Sequence, residues 1–184
     1  PVRAGFPAAP RHYDARHGVA SIESALNIFE LADDLGLDFV SMAEHHYAPR
    51  QLTPDPNIFA AAVTQRVKNA KIAIMGALLP MLDPVRVAEQ FAMLDTLCNG
   101  RLVPGVFRGT PNELVVYHSN PAESRGRYEE GVRLIQKCWS EPEPFGWTSA
   151  GTVHDDATTA TDGLHSRAIV GGDGADAGPE AGVD

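Results

Sequence analysis

Two cysteines in 184 residues, Cys98 and Cys138, lie far apart and show no metal-ligand spacing. The opening PVRAGFPAAP has no apolar core behind a basic flank, so no secretory signal is expected, and a reducing cytoplasm suits so few thiols. No stretch approaches the roughly 20 apolar residues of a membrane helix, so no membrane partner is expected. Basic side chains are also scarce: 15 Lys and Arg stand against 24 Asp and Glu, and the net charge of −9 argues against a nucleic-acid surface. Two motifs are missing as well. No G-x-G-x-x-G turn follows any apolar run, which weakens a doubly wound dinucleotide domain. No His-Glu-x-x-His spacing or third ligand accompanies the histidines, so no metal is expected.

What is present alternates. SIESALNIFELADDLG, from Ser21 to Gly36, has the spacing of an amphipathic helix, with Ser21 placed to cap it and Gly36 to end it. LDFVSM follows with little polar alternation, the pattern of a strand buried on both faces. NIFAAAVTQRV predicts a helix capped by Asn57, and KIAIMGALLP an apolar strand closed by Pro80. In DPVRVAEQFAMLDTLCNG, Asp83 is the cap, Pro84 the first helical residue and Gly100 the stop. RLVPGVFRGT reads as a strand in which Pro104 removes a ladder donor and implies a bulge. SRGRYEEGVRLIQKCW reads as a helix, and VRAGF is a candidate opening strand. Four strand–helix units mean a parallel sheet covered by helices. With the dinucleotide turn absent, the expected fold is α/β, a partial (β/α)₈ (TIM) barrel. A whole barrel takes about 250 residues, so residues 1–145 read as about half of one.

From Gly146 onward the composition changes. Residues 146–184 hold eight Gly, seven Ala and seven acids, against the single base Arg167. Such a segment is expected to be disordered, because it has too little apolar surface to offset its ordering entropy. It also reads as a candidate out-of-frame stretch.

The stretch GLDFVSMAEHHYAPR ends an apolar run with a carboxylate, two imidazoles and a phenol. In parallel α/β folds ligands sit at the carboxyl ends of strands, so Glu44, His45, His46 and Tyr47 fall on the expected rim. A histidine there titrates near neutrality and moves protons; the plainer alternative is one ring on a backbone carbonyl and one in solvent. Arg108 follows the strand RLVPGVF as a natural anion anchor. Arg125 and Arg127 start a helix, where cations oppose the dipole; a bound phosphate would compensate, as would Glu123 and Glu129. Gly76 inside a buried strand marks a bulge or a close approach.

Taken together, GLDFVSMAEHHY, IMGALLPMLDPVRVAEQFAMLDTLCNGRL, GVFRG and ESRGRYEEGV resemble the bacterial luciferase-like flavin monooxygenases, from about Ser21 to Phe145. The resemblance implies a (β/α)₈ barrel that takes reduced FMN from a separate flavin reductase and inserts one atom of O₂ into a small organic substrate. It implies His45 as the active-site histidine and Glu44 as its acidic neighbour near the flavin. It places a non-prolyl cis peptide at Met75–Gly76, beneath the ring. It implies Arg108 and Arg125 on the phosphate side, and Phe107 where some luciferases carry a cysteine. A homo-oligomer is expected for the complete protein, through the apolar faces of IFAAAV and VAEQFAMLDTL. The chain as given is expected to bind FMN weakly or not at all. The alternatives are a deazaflavin-dependent oxidoreductase of the same barrel superfamily and a non-catalytic fragment.

Overall fold

The computed structural model describes residues 13–47 and 53–148. The candidate opening strand at 2–6 and residues 149–184 lie outside the described residues. Three strands, β1 (Phe39–Met42), β2 (Lys71–Leu78) and β3 (Leu102–Phe107), form one parallel sheet in the order β1-β2-β3. Between and after them run α1 (Ala15–Asp34), α2 (Pro56–Arg66), α3 (Pro84–Leu97), α4 (Pro111–Val116) and α5 (Ser124–Ser140). The strand–helix alternation read from the sequence is present, in an α/β fold.

Local chemistry explains where the helices begin. Asp83 caps α3 by accepting from Arg86 N, with Pro84 in the first turn, and Gly100 carries the chain out at φ 77°. Two expected caps move. α2 is capped by Asp55 rather than Asn57: the Asp55 carboxylate accepts from Asn57 N and Ile58 N, and Pro56 occupies the first turn. α1 starts at Ala15 rather than near Ser21, because Asp14 accepts from Arg16 N two turns earlier than the apolar periodicity begins. The helix α4, absent from the sequence expectation, fills the chain after β3.

The core lies between the sheet and the helices. Val40, Met42, Ile72 and Ile74 pack with Phe59, Val63, Val87, Phe91 and Ile135, all buried. The opposite face is different. β1 alternates, with Phe39 and Ser41 exposed, so it is not buried on both faces. Phe39, Met75, Val103 and Phe107 are all exposed, and nothing among the described residues covers the face they share. In a closed barrel that face lines the interior.

The bulge expected from Pro104 exists, but on the neighbouring strand. Ile74 pairs with Pro104 and Ala77 with Val106, so Met75 and Gly76 stand opposite Gly105 alone. The two backbones approach closely there. A Cβ on Gly76 would lie 2.7 Å from Gly105 O, and one on Gly105 would lie 2.3 Å from Ile74 O. The Met75–Gly76 peptide is cis, at the position that the resemblance implied.

Beyond Phe145, Trp147 donates its indole N–H to the buried Glu130 Oε1 at 3.1 Å. This bond ties the chain just past residue 145 to α5.

One buried carboxylate ties α1 to the loop before β2. Asp33 accepts from Lys68 N (2.7 Å), Asn69 N (3.0 Å) and Ala70 N (2.6 Å). Burial pushes its carboxyl up, but the three amides and the Asn69 side chain together outweigh this and hold it below the ordinary value. A depressed carboxyl adds stability above its unfolded pKa of about 3.9, and that stability is lost as pH falls through the folded value. Asp33→Ala is expected to lower stability by about 2 kcal/mol at neutral pH in urea unfolding. The gap between it and the parent should narrow once pH falls below about 4. A gap that stays constant down to about pH 2 contradicts this account.

Candidate functional site

Parallel pairing brings the carboxyl ends of β1, β2 and β3 to one edge of the sheet. Glu44 and His45 follow β1, Met75 and Gly76 lie in the upper half of β2, and Phe107 and Arg108 end β3. Six of the seven sequence-derived site residues thus share one edge. Phe107 also packs on Gly76, since a Cβ there would meet its ring at 3.1 Å.

His45 is fixed from two sides. Its backbone N donates to Thr53 O at 3.1 Å, and its Nδ1 lies 3.3 Å from Glu113 Oε1. The Nε2 atom has no hydrogen-bond partner among the described residues, and the side chain is 41% exposed. A carboxylate on Nδ1 selects the Nδ1–H tautomer and leaves Nε2 able to accept a proton. Glu113 is itself anchored: its Oε2 accepts from Thr110 N at 3.2 Å and Thr110 Oγ1 at 2.8 Å. Burial pushes the Glu113 carboxyl up, yet the Thr110 hydroxyl and amide and the His45 ring outweigh it and hold it below the ordinary range. It is therefore a standing negative charge behind His45.

Glu44 turns away from the exposed edge. It is buried, with Oε1 2.7 Å from His46 Nε2 and Oε2 accepting from Leu78 N at 2.8 Å. Burial raises its carboxyl above the ordinary value despite those donors. His46 is buried too, and its Nδ1 lies 2.9 Å from the Tyr117 hydroxyl. Neither ring follows the plainer alternative, because both rest on carboxylates.

The arginines part company. Arg108 is exposed and has no ion pair among the described residues. Arg125 is held by Glu129 at 2.8 Å and Arg127 by Glu123 at 3.2 Å, so carboxylates supply the compensation at the start of α5. No hydrogen bond or ion pair joins Arg125 to the other six residues among those described.

Glu113 and Tyr117 are the two participants that the sequence reading missed. A signal was present. Thr110-Pro111-Asn112-Glu113 has the Thr-x-x-Glu spacing of a helix start, with Pro at the first helical position.

This geometry, one imidazole backed by a carboxylate beside an exposed apolar platform and a cation, can be set against known proteins. The Luciferase-like monooxygenase family model matches residues 4–166, so the chain belongs to that family. The chain spans about a third of the length of the curated relatives it matches. One of these is 4-hydroxyprotoasukamycin monooxygenase of Streptomyces nodosus subsp. asukaensis. It is 28% identical over 120 residues, covering 65% of this chain and 32% of that one. Monooxygenase RslO1 from Streptomyces bottropensis superposes with a TM-score of 0.67 at 31% identity, over 78% of this chain and 43% of its own. The oxygenating constituent of 3,6-diketocamphane monooxygenase from Pseudomonas putida, solved with FMN, gives a TM-score of 0.68 at 24% identity, over 80% and 40%. An F420-dependent secondary alcohol dehydrogenase gives 0.64 at 22% identity, over 76% and 44%. The last two likenesses show the fold alone.

Glu113→Ala removes the anchor of α4 and the partner of His45 together. It is expected to cost about 1 kcal/mol in urea unfolding, while Asp at that position recovers part of the loss. A neutral Glu113→Ala would show that α4 does not depend on this carboxylate.

Proposed function

We propose that this chain carries the flavin-proximal edge of an FMN-dependent monooxygenase, which takes reduced FMN from a separate reductase and uses O₂ to oxygenate a small organic molecule. The observation that carries this reading is the placing of His45, backed by Glu113, and Arg108 at the same end of parallel strands flanking β2. The residues present fit the cofactor. Met75 and Phe107 expose apolar surface on the sheet face, as an isoalloxazine ring requires, and Arg108 is an exposed cation next to Phe107 for a phosphate. Membership in the Luciferase-like monooxygenase family and the FMN held by the diketocamphane oxygenating constituent support the same assignment.

Reduced FMN, when bound, supplies the electrons that activate dioxygen. The chain's own residues do the rest. Met75, Gly76 and Phe107 would form an apolar floor against the ring. Arg108 would hold the phosphate, and Arg125 could join it only by leaving Glu129. His45 Nε2 would accept or return a proton at the reacting edge, and the Glu113 carboxylate, facing Nδ1–H, would stabilise the imidazolium that results. Glu44 stays below as a buried carboxylate. The oxygenase component of a flavin-dependent trigonelline monooxygenase, a relative 24% identical over 120 residues, supports a separate reductase as the partner. Exposed Ile58 on α2 and Met93 on α3 offer apolar contact for a homo-oligomer.

FMN and riboflavin differ only in the phosphate, so their relative affinity isolates Arg108. Fluorescence titration at flavin concentrations high enough for the weak binding expected of this chain should show FMN binding roughly 10- to 100-fold more tightly than riboflavin. That margin should disappear in Arg108→Ala. Equal binding of the two flavins by the parent chain would defeat the assignment. Preference for a deazaflavin over FMN would move it to the hydride-transfer relatives.

A further inference from the structure

His45 and His46 are neighbours in the chain, yet their rings rest on different carboxylates, and one short segment reaches both. Glu113 and Tyr117 lie four residues apart, about one helical turn, and so share a side of the segment containing α4. Glu113 meets His45 and Tyr117 meets His46.

The His46 ring has no spare nitrogen. Nε2 lies on Glu44 Oε1, Nδ1 lies on the Tyr117 hydroxyl, and the side chain is only 6% exposed. The Tyr117 ring also meets the imidazole edge-on, with centroids 4.6 Å apart. The other Glu44 oxygen already accepts an amide N–H from Leu78. A carboxylate that takes one fixed donor on Oε2 is best completed by a second donor on Oε1, which is Nε2–H. Nδ1 must then accept, and the phenol is the donor within reach.

We propose that Tyr117 is a positioning residue whose hydroxyl donates to His46 Nδ1, holds the ring as the Nε2–H tautomer and thereby keeps a donor on Glu44 Oε1 at the edge proposed for the flavin. The flavin part of this statement rests on the function proposed above, while the hydrogen-bond order stands without it. Other groups face the same chain. Tyr47 and Asp55 act on Tyr117 and Glu44 through their fields. Asp55, Asp83 and Arg86, at the starts of α2 and α3, line a cleft of about 180 Å³ with Glu44, His46 and Tyr117. Burial pushes the Tyr117 phenol up, so it remains protonated and able to donate through neutral pH. Burial also pushes Glu44 up, so without both donors its proton would be held more readily.

Imidazole ¹H–¹⁵N spectra of the ¹⁵N-histidine-labelled 184-residue chain test this at about pH 7, with His46→Gln identifying the His46 resonances. The parent should show one neutral tautomer, protonated at Nε2. Tyr117→Phe keeps the ring and removes only the hydroxyl, and should raise the Nδ1-protonated share about tenfold. A second form of the chain, with 3-fluorotyrosine in place of every tyrosine, tests the same bond while keeping a hydroxyl at 117. Its more acidic phenol should move the Nδ1 resonance opposite to Tyr117→Phe. An unchanged tautomer and unchanged Nδ1 resonance in both forms would overturn the proposal. The readout needs no flavin. A chain with the expected tautomer but no FMN preference supports Tyr117's role and refutes the cofactor reading separately.

Discussion

The Glu44 carboxylate joins the end of β1 to the end of β2, and the arrangement of the edge depends on it. One oxygen takes the amide of Leu78 and the other faces His46. This bond sets the path of the chain just past β1, where consecutive residues project in different directions. Glu44 and His46 go inward, and His45 is left partly exposed, to be caught by Glu113. A buried carboxylate is costly unless its oxygens are satisfied. Here one oxygen accepts the Leu78 amide and the other lies 2.7 Å from His46 Nε2. The exposed histidine is thus placed by a buried one, and the Ala-Glu-His-His-Tyr run reads as a single device.

The sheet provides the second constraint. Because its strands are parallel, everything that follows a strand arrives at one edge, which explains how residues 44 and 108 reach the same edge. The bulge refines the geometry. Two residues of β2 opposite Gly105 let the backbones close to a distance that no side chain at 76 or 105 would permit. Phe107 can then lie against Gly76, and the exposed face gains apolar surface.

Much of this was legible in the residues. The strands at 71 and 102 and the helices at 84 and 124 follow from period and capping chemistry. The rim followed from apolar runs ending in Glu-His-His and Phe-Arg. The failures were local or long-range. Asp14 and Asp55 cap earlier than the apolar pattern suggests, because a cap needs only one free oxygen and an amide. Phe39 and Ser41 look buried by composition, yet face the side of the sheet left open among the described residues. Glu113 and Tyr117 escaped because their partners lie 68 and 71 positions away, a distance over which no periodicity speaks. Arg125 shows the converse: its i,i+4 partner was visible in the sequence, and that pairing is what the fold contains.

The carboxyl edge of the sheet is the proposed flavin site. Amide chemical-shift mapping during FMN addition tests it most directly. Binding there predicts that the shifting amides concentrate at His45, Gly76, Phe107 and Arg108, with Phe39, Lys71 and Leu102 at the opposite edge unmoved. Shifts centred on that opposite edge, or spread evenly over the helices, would contradict it.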